Sequence, residues 1–593
     1  MVILVVLNTC LRTLDNPALS YALAKGAASG GSVIACYIED PTQRLPGAAF
    51  TWWTRKSLSL FQKQLAKLNV PLLCIRGAFP SIAQALVENA SEKTRVTDVY
   101  INRRWGGTTA TEDARFVQVW KESKASVSLY TAHTLHEPWE LKTGQGNPYR
   151  VYTAFSKHFS TLKPQLIDEP SAQTADSGIR EALYQMLDDN ELVELLDWDD
   201  PKSTFDPPWA KDFNWEPGTA GAQRVLDTFL SERIDEYGKA RDIPFENGTS
   251  QLSPHLAHGE ISPHRVLDAV RKKRAQLKNS KDTSAVESTN TFEKELVWRE
   301  FQYHLLFHEP DLAESNHNPR FDGLDWSQSA SEHDIRSSFR SSKSSRQTMD
   351  RLQMTAAFEC WKSGHTGIPM VDAGMRQLWK TGWMHNRVRM IVASLLTKNL
   401  RLHWRLGEQW FWDTLVDADP ASNPGNWQWT AGTGADASPF FRIFNPARQA
   451  DNFDDRCSYV RTWIPELKSV STKEIQHAYE NPSTAQDDSS YVAALENPSP
   501  SSAWAYHLNS MTTTEGHDEA SLTSEEKLFP EDQPLFRPSA IAKPETAYRP
   551  CIVNLKRSRE AALASFKASG SASRKQIPEQ AGSPHAPKRL KSK

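Results

Sequence analysis

The chain has 593 residues, of which 24% are charged and 39% hydrophobic, and its formal net charge is −3. That length accommodates two or more domains with cores of their own. The balance of charge excludes wrapping of nucleic acid by bulk positive charge and leaves room for a local basic cleft. The six cysteines, Cys10, Cys36, Cys74, Cys360, Cys457 and Cys551, form no CxxC pair and no Cys/His cluster. Neither a disulfide framework nor a zinc site is indicated, no metal is expected, and a reducing compartment fits best.

The opening residues 1–7 are apolar, lack a basic leader and are too few to span a bilayer, so they read as a buried strand. Apolar runs of strand length recur at 2–7, 33–38, 72–75, 99–101 and 127–130, with helix-patterned stretches such as 54–68 and 82–88 between them. This rhythm predicts a parallel, five-stranded, Rossmann-like sheet with crossover helices over residues 1–135. Such sheets place ligands at the carboxyl ends of their strands. Neither GxGxxG nor GxxxxGK[ST] is present, which argues against NAD-type and P-loop NTPase sites.

An interdomain connector is expected over 136–217, rich in Asp, Pro and Ser from about 171 onward. From 218 to 470 the apolar spacing turns to three and four, as at Val225-Leu226-Phe229-Leu230, and an all-α domain is expected. The stretches 327–350, 483–532 and 570–593 carry too few apolar residues to offset their ordering entropy and read as loops or disorder. The expected organisation after the helical block is a polar segment over 471–545, the end of the helical domain over 546–569, and a disordered basic tail over 570–593. That tail ends in Pro587-Lys588-Arg589-Leu590-Lys591-Ser592-Lys593, which reads either as a nuclear import signal or as a solvated tail, so a nucleus or cytoplasm location follows.

Tryptophan is the unusual component: there are twenty, and eleven lie between Trp298 and Trp463. Indoles alone can be packing residues. Here they alternate with polar groups, in Glu295-Leu296-Val297-Trp298-Arg299-Glu300-Phe301, in Trp383-Met384-His385-Asn386-Arg387-Val388-Arg389-Met390, and in Asp417-Ala418-Asp419-Pro420-Ala421-Ser422-Asn423 followed by Trp427-Gln428-Trp429. On a helix Glu295, Trp298 and Arg299 share one face, as do Asn386, Arg389 and Met390. A Glu–Arg pair by itself is an ordinary surface ion pair. Together the segments describe a polar and aromatic pocket. Gly248-Thr249-Ser250-Gln251-Leu252-Ser253 adds small residues at a helix start, which serve either as a plain cap or as an anion site.

These segments, together with Gly364-His365-Thr366-Gly367-Ile368-Pro369-Met370-Val371-Asp372-Ala373, resemble the FAD-binding domain of the DNA photolyase/cryptochrome family. The α/β segment resembles that family's antenna domain, although Leu7-Asn8-Thr9-Cys10-Leu11-Arg12 keeps only the arginine of its usual opening. The whole looks nearest to the class I-type cyclobutane pyrimidine dimer photolyases. The resemblance implies a U-shaped FAD, with Tyr237 and Thr249, Ser250, Gln251, Leu252 and Ser253 at its phosphates and ribityl chain. Phe292, Arg299, Trp383, Asn386 and Ala418 would line the cavity, Arg389 would pair with Asp417 beside the ring, Asp419 would meet the flavin's polar edge, and Asn423 would face N5. It further implies a lesion pocket of Glu295, Trp298, Met390 and Trp429, with Asn386 within reach and Arg241 and Arg387 on the flanking phosphates. Glu295, Asn386 and Asn423 would be the catalytic set, and Trp427, Trp404 and Trp326 an electron path.

Asparagine at 423 has no acid proton to give the flavin, which points to repair with fully reduced FAD. Met390, where members that repair (6-4) photoproducts carry histidine-rich segments, points to cyclobutane dimers. The implied activity is blue-light-driven dimer repair by a carbon–carbon lyase acting on UV-damaged DNA as a monomer, without a membrane. The implied second chromophore is a folate or deazaflavin antenna, its identity open. The polar insertions and tail fit the other branch of the family, a blue-light photoreceptor that signals to partners through its tail.

Overall fold

The computed structural model describes residues 1–106, 109–160, 166–174, 178–188, 194–196, 207–279, 281–324, 326, 346–435, 442–478 and 551–575. Its first layer is a twisted sheet of six strands in the order β5-β4-β1-β2-β3-β6, where β1 is Val2–Val6, β2 Ser32–Glu39, β3 Leu72–Arg76, β4 Val96–Asn102, β5 Ser126–Tyr130 and β6 Glu194–Leu195. The first five pair in parallel, joined through helices α1 (Pro17–Ser29), α2 (Ala48–Lys67), α3 (Phe79–Glu88) and α4 (Thr109–Glu122). Strand β1 is buried along its whole length, as a parallel strand covered on both faces must be. Ile3 and Val5 pack with Leu58 and Phe61 of α2, whereas Val2, Leu4 and Val6 pack with Phe79 and Phe116 of α3 and α4.

Two features add to the expected five strands and interdomain connector. Strand β6 runs antiparallel at the edge beside β3, pairing Ile75 with Leu195 and Arg76 with Glu194. Two residues are too few to show a period of two, so no hydrophobic pattern marked it. A helix at Ile179–Asp188 buries Leu183 and Leu187 completely against the α3/α4 face. Its spacing of four was masked by the acidic residues around it.

The second unit is helical. Its Thr283–His308 helix, capped by Asp282 accepting from Ala285 N at 2.9 Å, contributes Phe292, Leu296, Phe301 and Tyr303 to one core. The helices Asn386–Ser394, Trp404–Thr414 and Ser422–Ala431 build a second core with Trp361, Trp404, Phe411 and Trp427. The Gly364–Ala373 motif is a braced turn: the buried Asp372, in the first turns of the Pro369–Thr381 helix, accepts from Thr366 N (2.7 Å), Thr366 Oγ1 (2.6 Å) and Gly367 N (3.0 Å) ahead of it. The last described helix, Leu555–Lys575, runs beyond residue 570, where a disordered tail was expected to begin, and another opens at Arg346 inside the Ser-rich stretch. The remaining residues of that stretch, 327–345, as well as 483–532 and the tail from 576, lie outside the described residues.

Buried polar contacts fasten the two units together. Arg12 donates to Gly259 O (2.9 Å) and Ala132 O (2.8 Å), Trp53 Nε1 donates to Glu260 Oε1 (2.8 Å), and His258 bridges Thr54 Oγ1 (3.1 Å) and Val416 O (3.0 Å). Gly259 has φ +65°, and a Cβ there would lie 2.1 Å from Thr9 O, so only glycine permits this approach. No described helix is long and apolar enough to cross a membrane.

Candidate cofactor and lesion cavity

A cavity of about 560 Å³ opens between the two helical cores. One wall comes from the Thr283–His308 helix through Phe292, Glu295, Trp298 and Arg299; the other comes from Trp383–Met390 and from Asp417, Asp419, Asn423, Trp427 and Trp429. Tyr237, Arg241 and the run Thr249–Ser253 close one end. Of the positions singled out from the sequence, the structure brings all to this cavity except Ala418, Trp404 and Trp326.

The 248–253 run differs in detail from the expected helix start. The helix that follows, Ser253–Ala257, has only five residues, so its dipole is small. What shapes the run instead is Gln251 in the left-handed region (φ 55°) and Ser250 Oγ accepting from Leu252 N at 3.3 Å. Trp383 Nε1 donates to Ser253 Oγ at 3.4 Å and ties the run to the opposite wall.

Arg389 is fixed at both ends of its guanidinium. Nε donates to Met384 O at 2.7 Å, and Nη2 donates to Asp417 Oδ1 (3.1 Å) and Oδ2 (2.8 Å). His385 caps this helix by accepting from Arg387 N, and burial lowers its pKa to about 4, so the ring is a neutral acceptor at ordinary pH. At the mouth, Arg241 pairs with Glu295, and Arg387 pairs with Asp242 at 2.7 Å. Asn386 is exposed there, and Met390 and Trp429 are half-buried.

Trp298 presents one face to Tyr152, stacked at 3.5 Å with planes 3° apart. Nothing in the sequence marked Tyr152, which lies on a separate helix, Tyr152–Phe159, in the stretch read as connector. Gln302, Phe411, Ser422 and Asn426 also line the cavity and were not singled out. Gln302 and Ser422 lie one turn or less from named positions, Arg299 and Asp419, and helical spacing could have found them.

Trp427 lines the cavity and meets Phe411 at 5.0 Å and Trp361 at 6.1 Å, both edge-on. Trp404 is fully buried, with Nε1 donating to Asn316 Oδ1 at 2.9 Å. Trp326 reaches it by way of His403, whose ring is 5.1 Å from Trp326 and 5.6 Å from Trp404.

The donors of the cavity fit a flavin. Asn423 is 7% exposed, and its Nδ2, like Arg299 Nη2, has no hydrogen-bond partner among the described residues. Each stranded donor costs about 1–3 kcal/mol, which a ligand rich in acceptors removes. FAD offers such acceptors in its phosphates, ribityl hydroxyls and ring.

A parallel α/β unit latched to a helical unit, with a nucleotide-sized cavity whose mouth carries indoles, a carboxylate and arginines, fits a flavin-binding protein. Family models agree: residues 3–173 match DNA photolyase, and residues 292–568 match the FAD binding domain of DNA photolyase. A deoxyribodipyrimidine photo-lyase of Agrobacterium fabrum is 41% identical over 477 residues, covering 80% of this chain and 89% of that protein. Cryptochrome-1 of Arabidopsis thaliana is 31% identical, covering 80% of this chain and 64% of that protein. The crystal structure of a bacterial class III photolyase from Agrobacterium tumefaciens superposes with a TM-score of 0.71 at 36% identity, covering 96% of this chain and 98% of that one. The chain belongs to the DNA photolyase/cryptochrome family, and its cofactor is FAD.

Proposed function

We propose that the protein is a deoxyribodipyrimidine photo-lyase that splits cyclobutane pyrimidine dimers in DNA under blue light. The observation that carries this reading is the buried Asn423 amide on the cavity wall, with a free donor and no acid proton, beneath a mouth formed by Glu295, Trp298, Met390 and Trp429. When bound, reduced FAD supplies the light-driven electron for ring splitting and takes it back.

The chain's own residues prepare both sides of that exchange. Arg389, held in place by Asp417 and Met384 O, would present its guanidinium to a bound flavin and would favour the reduced, anionic form. Trp298, backed by Tyr152, and Trp429 offer faces on which a flipped-out dimer stacks, at about 1–3 kcal/mol per base. Glu295 is the hydrogen-bonding partner of the base edge, held beside Arg241. Arg241 and Arg387 stand at the rim for the flanking phosphates. Trp427, Trp404 and Trp326 are the path by which oxidised FAD is reduced, His403 lying between the last two.

The protein is a monomer in this reading, with a folate or deazaflavin antenna in the α/β unit, whose domain ends near 135, and with nuclear entry directed by 587–593. The test is the affinity for damaged against undamaged DNA. Holoprotein should prefer a duplex with one thymine dimer over undamaged duplex, and Trp298→Ala should erase most of the preference. Equal affinity for both duplexes, with FAD still photoreducible, would favour the photoreceptor branch.

A further inference from the structure

One apolar side chain beside the mouth of the cavity is left uncovered. Phe245 is 58% exposed, the most exposed large apolar side chain among the described residues. It stands on the short loop that leaves the cavity wall at Arg241 and rejoins it at Thr249. Within that loop Glu246 N donates to Ile243 O at 3.2 Å, closing a β-turn with Pro244 in its second position, where the fixed φ of proline suits it, and Phe245 in its third. The loop is braced from inside: Ile243 N donates to Ala240 O at 3.1 Å, Pro244 is buried, and a Cβ at Gly248 would lie 2.5 Å from Ala240 O. Its first residue, Asp242, is tied to Arg387 at 2.7 Å. A ring presented on a braced turn has lost its backbone freedom before anything binds, so a contact made there carries little ordering cost.

The surroundings select what the ring meets. Arg241 precedes the loop in the chain and Arg387 is paired to its first residue, and these are the two arginines that the repair reading sets on the flanking phosphates. Phe245 follows Asp242 by three residues, which puts their Cα atoms at most about 11 Å apart. Nucleotides along one strand are about 3.4 Å apart, so the ring reaches only the few nucleotides beside a bound dimer. The turn brings a carboxylate of its own, the exposed Glu246, which turns phosphate away. One ring among charged neighbours is also far short of the roughly 800 Å² per partner that a stable protein interface buries. It matches the face of a single base. Flipping a dimer out of the duplex leaves the neighbouring base with one face bare, and aromatic side chains stack on such faces whatever the base.

We propose that Phe245 stacks on the bared face of the base next to the dimer in the damaged strand, and that it is a specificity-determining residue of this chain. In undamaged duplex that face is covered by the next base, so the contact forms only once the dimer has left the stack. Phe245 therefore adds to the discrimination between damaged and undamaged DNA and takes no part in ring splitting. The inference rests on the repair reading of the cavity.

Binding of the FAD-loaded protein to a duplex carrying one thymine dimer, read by fluorescence anisotropy beside the undamaged duplex, tests it. Phe245→Ala should weaken affinity for the dimer duplex by roughly tenfold, the worth of one stacked base, and leave the undamaged duplex within about twofold. Phe245→Trp should restore the loss. Because the ring is exposed, Phe245→Ala should keep the parental Tm and FAD content, which separates a lost contact from a lost fold. The slope of log affinity against log salt should stay parental in Phe245→Ala, since the ring releases no counterions, whereas Arg387→Gln should lower it by about one. Placing an abasic nucleotide beside the dimer, on each side in turn, should cost the parent the same factor on one side, where Phe245→Ala then adds nothing. Parental affinity of Phe245→Ala for the dimer duplex, or an equal loss on both duplexes, would overturn the stacking. No preference of the parent for the dimer duplex would instead overturn the repair reading.

Discussion

Gly407 lies on the Trp404–Thr414 helix where that helix crosses the ring of the cavity-lining Trp427, and replacing it with alanine tests that packing directly. A Cβ at 407 would sit 2.2 Å from Trp427 Cη2, 2.6 Å from Trp427 Cζ3 and 2.5 Å from Leu396 Cδ2. Ordinary carbon contacts are about 3.5–4.0 Å, so the indole must retreat by at least about 1 Å. Phe411 and Trp361 block two directions, which leaves the cavity as the direction of escape. Overpacking of this kind costs about 1–3 kcal/mol. At about 2–4 °C per kcal/mol, Gly407→Ala should lower Tm by roughly 2–12 °C, and the displaced indole should reduce the FAD retained on purification. Thermal unfolding followed by circular dichroism, with flavin absorbance read in parallel, measures both. A variant that melts within about one degree of the parent with full flavin content would refute the close packing of this helix on Trp427.

Arg389→Leu strands Asp417, whose side chain is only 3% exposed, and should cost about 3–5 kcal/mol of stability, measured by urea unfolding; Arg389→Lys should recover part of this, and a Leu variant of parental stability would contradict the pairing. Glu300 is fully buried, and burial raises its pKa to about 7, so the folded state binds a proton that the unfolded state has lost above about pH 4.5. Stability should therefore fall by about 3 kcal/mol as pH rises from about 4.5 to 7, and Glu300→Gln should flatten that slope in urea titrations at each pH; an unchanged slope would assign it to other groups. Trp427→Phe should slow photoreduction of oxidised FAD while sparing repair by pre-reduced protein, as followed by flavin absorbance and dimer loss; equal loss of both would show that Trp427 serves something other than the electron path.

The legible part of the site was the part carried by short, mixed segments. Glu295, Trp298 and Arg299 at helical spacing, and Asn386, Arg389 and Met390 likewise, fix which side chains share a helix face, and the family resemblance brought the two faces to one cavity. The parallel sheet was legible because β1 to β3 bury both faces and read as apolar runs, and β4 keeps a short one at Val99–Ile101. Contacts between distant segments were not. Tyr152 stacks on Trp298 and His133 meets Tyr303 only after the chain has folded, and neither pair has a period or spacing to announce it. Strand β6 was hidden for the opposite reason, having too few residues to form a pattern.

Light-dependent splitting of a dimer held at the cavity mouth is best examined with a defined substrate. Chemically reduced holoprotein is mixed with an oligonucleotide carrying one cis-syn thymine dimer, illuminated with blue light, and compared with a dark sample by chromatography. The dimer should be converted to two intact thymines of unchanged total mass in the light only. Persistence of the dimer in the light, with FAD bound and reduced, would contradict it.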